Sequence, residues 1–412
     1  MISSAKRTAY EKGSVHSWHP YYAGYSEFFV DSVLKIESGR LTQNSIILDP
    51  WVGSGTTGVV CQKNGLNCVG IDVNSSMAIF SASKSSKILP KLKSESTSIL
   101  NRIFARAKKS RKVYDTSHLD EIMSSSFTLK MTRLLVAIED ELHTETLRVE
   151  PFISFFKSVL LVSNRQLMGY KSGSNPTWFK KTPPTQCLPF ATIEKVYRQN
   201  FDSMLYDLEE IFSLNTGSFS VYESSSVSTP VADNSVDLVI TSPPYLTRID
   251  YAVSTQVELL LLGGAKKYRS IRENTIGTTT IFSQRKCGDR SWGKLCNEVI
   301  SAINSHSSYS SQDYYIKNKI QYFDGSYQSL LELYRVMKVE ANAYLVIQNS
   351  YYKEIPIPLP EIYMQMAKAI GFSEAVCERR DILKSTMAHI NVKSKRYEKN
   401  KIYYEDVIRL KK

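Results

Sequence analysis

The stretch from Ser45 to about residue 80 constrains the fold most. SIILDP (Ser45–Pro50) is a short apolar run closing on an acid, as expected of a strand buried on both faces. WVGSGTT follows as a glycine-rich turn, and GVVCQKNG (Gly58–Gly65) as a helix stopped by Gly65. NCVGID (Asn67–Asp72) is a second strand, again closing on an acid. Strand, glycine turn, helix, strand, acid is the order of a βαβ nucleotide-binding unit.

Later segments extend the pattern. VDLVITSPPY (Val236–Tyr245) predicts a strand that two prolines terminate. SLLELYRVMK (Ser329–Lys338) predicts an amphipathic helix, AYLVIQNS (Ala343–Ser350) a strand, LPEIYMQMAKAIGF (Leu359–Phe372) a helix with a glycine stop, and KIYYEDVIRLKK (Lys401–Lys412) a closing strand. The fold class is therefore α/β, a doubly wound Rossmann-like sheet. Residues 85–215 interrupt it with helical patterns (Leu129–Leu142, Pro151–Leu167) and no strand–glycine–helix unit, so a largely helical insertion is expected there. Residues 1–84 and 216–412 then form the two parts of the sheet domain, the second carrying an irregular basic insert at about 263–318.

Charge bears on the partner. The chain of 412 residues carries 52 Lys+Arg against 40 Asp+Glu, a net +12, which favours a polyanion, nucleic acid ahead of an anionic membrane. Lys84–Lys112 contains ten basic residues and one acid, Glu95; Lys266–Arg290 contains seven basic and two acidic residues. Either run alone reads as a solvated helix face; the two together favour a nucleic-acid surface. The N-terminal stretch has no apolar core of a secretory signal, and no apolar run approaches the length that spans a bilayer, so a cytoplasmic protein without a membrane partner is expected. The six cysteines show no CxxC spacing, so no metal site or disulfide framework is expected, and Cys61 and Cys68 read as buried thiols.

Two short segments could carry chemistry. In DPWVGSGTT (Asp49–Thr57), Gly53 and Gly55 let the backbone approach a ligand where a side chain would clash. No Gly-Lys-Ser/Thr follows, which excludes a phosphate-cradling Walker loop, and the third glycine expected at the helix-packing position of a dinucleotide fingerprint reads as missing. Asp72 stands where a carboxylate can accept both hydroxyls of a ribose. In Thr241-Ser242-Pro243-Pro244-Tyr245, the prolines remove two amide donors, so the Ser242 hydroxyl and the Pro243 carbonyl suit the two N–H groups of an exocyclic amine. Tyr245 offers a flat face to a planar base. A nicotinamide oxidoreductase would leave TSPPY unexplained.

These residues together resemble the S-adenosylmethionine-dependent DNA amino-methyltransferases, which methylate cytosine N4 or adenine N6. The matching segments are DPWVGSGTT, VGIDVN (Val69–Asn74), DNSVDLVITSPPY (Asp233–Tyr245) and HPYYAGYSEFFV (His19–Val30); ELYRVMKVEANAYLVIQNS (Glu332–Ser350) and the C-terminal strand fit the same pattern. The resemblance implies a methyltransferase sheet with S-adenosylmethionine as cofactor. Its contacts would be Tyr22, Asp49, Trp51, Gly53, Gly55, Thr56, Thr57, Asp72, Val73, Ser225 and Thr241. Ser242, Pro243, Pro244 and Tyr245 would be catalytic, with Arg248, Asp250 and Tyr251 either lining the same cleft or salt-linked on the scaffold. It further implies double-stranded DNA as partner, target recognition by the 85–215 insertion, base flipping, and a restriction-modification or phage-defence setting with a possible cognate endonuclease. SPPY resembles the cytosine-N4 branch more than the adenine-N6 branch. Two departures stand out: Trp51 replaces the usual Phe, and Ser224-Ser225 replaces the usual Gly-Asp. An RNA N-methyltransferase and a non-catalytic nucleic-acid-binding protein of this fold are the alternatives.

Overall fold

A computed structural model describes residues 1–8, 11, 15–20, 24–112, 114, 117–119, 122–142, 148–168, 188–212, 217–246, 250–281, 289–383 and 401–412. The predicted nucleotide-binding unit forms as β1 (Ile46–Asp49), α2 (Thr56–Lys63) and β2 (Asn67–Asp72), preceded by α1 (Glu27–Glu37) and followed by α3 (Ser75–Ala82). Four long helices come next: α4 (Leu89–Lys109), α5 (Ser125–Leu142), α6 (Pro151–Leu167) and α7 (Phe190–Ile211). The chain then returns to the sheet with β3 (Phe219–Glu223) and β4 (Val236–Thr241). After α8 (Tyr251–Ser254), α9 (Gln256–Asn274), α10 (Lys294–Asn304) and α11 (Ile316–Val336) come β5 (Met337–Gln348), the hairpin β6 (Ser350–Tyr352) and β7 (Ile355–Ile357), α12 (Leu359–Ile370), β8 (Glu374–Ile382) and β9 (Tyr404–Lys411).

Seven strands form one sheet in the order β3-β2-β1-β4-β5-β9-β8. β3, β2, β1, β4 and β5 run parallel, and β9 is antiparallel to both its neighbours. Alternation along each strand feeds two cores: Ile47, Leu238 and Val346 pack on the side of α1 and α2, while Leu48, Val239 and Leu345 pack on the side of α11 and α12. Helices thus cover both faces, which lets the parallel strands be apolar throughout. Strand order reverses between β1 and β4, the point where open α/β sheets place ligands at their carboxyl edge.

Glycines shape the first turn. Gly55 caps α2 with φ +82°, and a Cβ there would come within 3.1 Å of Ser81. The third glycine read as missing is present as Gly58, which completes a Gly-x-Gly-x-x-Gly pattern: a Cβ on it would lie 2.3 Å from the Phe219 ring, so α2 can sit this close to β3 only with glycine.

Helices α4 to α7 pack around one another, with Phe104, Phe127, Phe155, Tyr197 and Phe201 in a core that continues into α3 and α9. The Phe155 and Phe201 rings meet edge to face at 5.2 Å. The basic run on α4 is largely neutralised. Lys93 pairs with Glu209, Arg102 and Arg106 with Glu141, Lys108 with Glu194, and Lys112 with Asp140. Lys84 is buried outright. Much of this run is therefore internal to the protein's own charge balance.

The described residues of the stretch expected to be irregular, 263–318, are largely helical. α9 runs through its start with a break at Gly263 and Gly264 (φ 71° at the latter), and α10 buries Cys296, Val299, Ile300 and Ile303, an apolar stripe at helical spacing among polar neighbours. α11 begins at Ile316, well before the predicted Ser329, and runs through Gly325. That glycine makes room for Ile276, which would lie 3.1 Å from a Cβ. Among the described residues no helix is long and apolar enough to cross a membrane.

Candidate active site

The site is built on the carboxyl ends of β1 and β4. Asp49 ends β1 and is buried. One of its carboxylate oxygens accepts from the Thr241 hydroxyl (2.6 Å) and the Trp51 amide (3.2 Å), the other from the Tyr25 and Thr57 hydroxyls (2.6 and 2.7 Å). Burial raises its pKa and these donors oppose the rise. Asp49 is thus fully occupied in joining β1, β4, the glycine turn and α2.

The turn is held from behind as well. Arg7 donates to the Ser54 and Thr56 hydroxyls (3.0 Å each), and the buried Lys84 ammonium donates to the Ser54 carbonyl. Burial, and then the neighbouring Arg7 charge, push the Lys84 pKa down to about 7. Neither role was visible in the sequence, where Lys84 counted only towards a basic run.

Asp72 ends β2 and accepts the Gly53 amide (3.0 Å) on one oxygen and the Asn74 amide (2.8 Å) on the other. Its side chain lies deep among protein atoms yet keeps part of its surface on a cleft. Burial raises its pKa to about 7 against those two hydrogen bonds, with the Asp49 and Glu223 charges adding to the rise. Asn74 caps α3 by accepting the Ser76 amide, a cap readable from Asn-Ser-Ser before an apolar run.

The proline loop follows β4. Ser242 donates its hydroxyl to the Val346 carbonyl of β5 (3.1 Å), which leaves its oxygen able to accept. The Tyr322 hydroxyl donates to the Pro244 carbonyl (2.7 Å); among the described residues no donor reaches the Pro243 carbonyl. The Tyr245 amide donates to the Tyr251 hydroxyl (3.2 Å) and its phenol donates to Glu405 on β9 (3.0 Å).

One cleft of about 660 Å³, counting the part open to solvent, joins these parts. Of the residues singled out in the sequence, Trp51, Asp72, Val73, Ser225, Ser242, Pro243 and Pro244 line it, with Tyr251 beside them. Asp49, Gly53, Gly55, Thr56, Thr57, Thr241 and Tyr245 do not line it. Asp250 is a buried partner of Arg272 (2.9 Å) and the cap of α8, so it is salt-linked on the scaffold. Tyr22 and Arg248 lie outside the described residues. Met77, Thr255, Asn274, Thr275 and Ile276 are among the further lining residues, unannounced by the sequence.

A family model described as DNA methylase, covering N6 and N4 enzymes, matches residues 27–81, the segment that carries the glycine turn and Asp72. The chain is 26% identical over 410 residues to the type II methyltransferase M.BsoBI of Geobacillus stearothermophilus, spanning 87% of this chain and 79% of that protein. It is 23% identical over 389 residues to the type II methyltransferase M.MvaI of Kocuria varians, spanning 87% and 82%. A shorter match, 33% over 103 residues, covers 25% of this chain and 18% of the type II methyltransferase M.MjaII of Methanocaldococcus jannaschii. These similarities support a DNA amino-methyltransferase of the N6/N4 kind.

Methyltransferases of this family use S-adenosylmethionine as methyl donor. The residues present fit that molecule. Asp72 uses two of its carboxylate lone pairs on backbone amides and presents the remainder to the cleft, while Trp51, Val73 and Met77 supply apolar surface beside it.

Proposed function

We propose that this methyltransferase transfers a methyl group to the exocyclic amine of a base flipped out of double-stranded DNA, cytosine N4 in preference to adenine N6. The observation that carries the reading is the shared cleft: Asp72 and Trp51, from the cofactor-motif segment, line it together with Ser242 and Pro243.

Trp51, Asp72, Val73 and Ser225 would hold the donor, Asp72 through the ribose hydroxyls. Ser225 sits in a tight turn bridging to Ser228 and offers a hydroxyl where the family usually has a carboxylate. Asp49, Thr57 and Thr241 act on the donor indirectly, by fixing the turn. Bound there, S-adenosylmethionine supplies an electrophilic methyl carbon. The protein's part is then alignment. The Ser242 oxygen and the Pro243 carbonyl accept the two N–H groups of the amine and turn its lone pair towards the donor side. Tyr245, tethered through its phenol to Glu405, gives the base a face to stack on. No cysteine adjoins the loop, so the route needs no covalent enzyme intermediate.

The cytosine preference rests on Ser242 at the head of the proline pair. The type II names of the relatives support a modification role beside a cognate restriction endonuclease, in restriction or phage defence. With α4 largely neutralised, the α4–α7 region would recognise DNA by shape and side chain more than by bulk charge.

Mass spectrometry of nucleosides from cells expressing the wild type and Ser242→Ala tests the reading. N4-methylcytosine in the first and not in the second is expected. N6-methyladenine alone would overturn the base assignment, and label appearing only in RNA would overturn the DNA assignment.

A further inference from the structure

Two segments distant in sequence meet at the mouth of the cleft, and one dipeptide holds both. Tyr251 accepts the Tyr245 amide (3.2 Å) and so fixes the far end of the proline loop. Its neighbour Asp250, buried, accepts from Arg272 Nε (2.9 Å) and from the hydroxyls of Thr279 (3.1 Å) and Thr278 (3.4 Å). The segment 275–280 is thereby tied to the residue preceding Tyr251.

α11 and the turn before it pin the same segment from the opposite side. Asn318 donates to the Thr278 carbonyl (2.9 Å), the Tyr314 hydroxyl to the Thr279 carbonyl (2.5 Å) and Gln321 to the Thr280 carbonyl (3.1 Å). Three successive carbonyls each have a side-chain donor. Gly277 has φ +85°, and a Cβ there would stand 3.4 Å from the Tyr245 carbonyl, so the two segments touch. Asn274, Thr275 and Ile276 then line the cleft beside Pro243 and Pro244.

A connection that only joins two helices does not require this fixing, since loops are ordinarily the mobile and tolerant part of a fold. Side-chain bonds on successive carbonyls, joined to an ion pair whose acid is buried, are what a site needs when a ligand must be met in one geometry. The Arg272 charge also neutralises Asp250, so the anchor places no net negative charge at a mouth meant for a polyanion.

We propose that residues 274–276, held in place by the pinned segment 277–280, form the wall that receives the target base beside the Pro243–Pro244 loop, and that Asp250 is the positioning residue that keeps wall and loop in register. This rests on the base-amine reading above. Ile276 supplies apolar surface to the base, and the threonine hydroxyls serve the anchor.

The test compares wild type, Asp250→Ala, Asp250→Asn and a Thr278→Val/Thr279→Val double variant. Tritiated-methyl transfer to unmethylated bacterial genomic DNA gives kcat and the KM for DNA, and calorimetry with S-adenosylhomocysteine reads the donor side. Asp250→Ala is expected to lower kcat/KM for DNA by about tenfold to a hundredfold while S-adenosylhomocysteine affinity stays within about twofold. Asp250→Asn, which keeps an oxygen acceptor, recovers part of the loss, and the two-threonine variant loses a smaller share. Should Asp250→Ala fail to fold, judged by circular dichroism, the two-threonine variant carries the same two readings. Unchanged transfer overturns the wall, as does a loss of S-adenosylhomocysteine affinity equal to the loss of transfer. A wild type that binds S-adenosylhomocysteine but labels no DNA defeats the base-amine reading itself.

Discussion

Thr241, the last residue of β4, donates its hydroxyl to Asp49, the last residue of β1, at 2.6 Å. The bond joins the two strands at the point where strand order reverses, so it sets the separation of the glycine turn and the proline loop. Thr241→Val keeps the shape of the side chain and removes the donor from a buried carboxylate. A hydrogen bond to a charged group contributes about 1.5–3 kcal/mol, and a loss of that size is expected in urea unfolding. The midpoint should fall with the slope unchanged. A variant as stable as the wild type would show that the remaining three donors suffice.

Asp72 leads to a pH dependence. Burial raises its pKa to about 7, so the folded chain keeps this proton to higher pH than the unfolded chain does. Its contribution to stability is therefore complete below the ordinary carboxylate range and is lost as pH rises through about 7. Under the proposed ribose role, donor binding runs the opposite way, because two ribose hydroxyls are accepted best by the ionised carboxylate. Affinity for S-adenosylhomocysteine should climb by up to about tenfold per pH unit below 7 and level off above it. Asp72→Asn should flatten that profile; a wild-type profile with no inflection near neutrality would count against the ribose role.

Much of this architecture could be read before any coordinates. Asn67–Asp72 and Pro151–Leu167 form as predicted, residue for residue, because a buried strand and a helix with a wide apolar stripe carry their own periodicity. α11 starts thirteen residues before the predicted Ser329 and runs through Gly325, where the close approach of Ile276 calls for glycine. Lys84 and Arg7 escaped for a physical reason. A basic side chain folded back on a carbonyl or hydroxyl is indistinguishable in sequence from one facing solvent. The neutralised face of α4 depends likewise on acids from α5 and α7, which only the tertiary packing brings alongside.

Lys84 carries its own prediction. Its pKa is lowered from 10.5 to about 7, first by burial, so between those values the unfolded chain binds the proton and the folded chain does not. Stability from this group therefore rises with pH across that interval. Lys84→Met should remove the rise, so that the wild type gains on the variant between about pH 7 and 9 in paired urea titrations. Parallel curves for the two proteins would place the ammonium in a more solvated setting than its contact with the Ser54 carbonyl implies.

The tether between Tyr245 and Glu405 gives the last prediction. The phenol donates to the carboxylate at 3.0 Å, and burial raises the Glu405 pKa while this bond opposes the rise. If the bond orients the ring for stacking, Tyr245→Phe and Glu405→Ala remove the same interaction and their effects should not add. Each is expected to weaken DNA productively bound in the site by about 1 kcal/mol, a roughly fivefold rise in KM for DNA, with S-adenosylhomocysteine affinity unchanged. Glu405→Gln keeps an acceptor oxygen and should restore most of the wild-type KM. Additive losses in the double variant would mean that Glu405 acts on the substrate by some route other than the ring, since a carboxylate whose only task is to hold the phenol has nothing left to lose once the hydroxyl is gone.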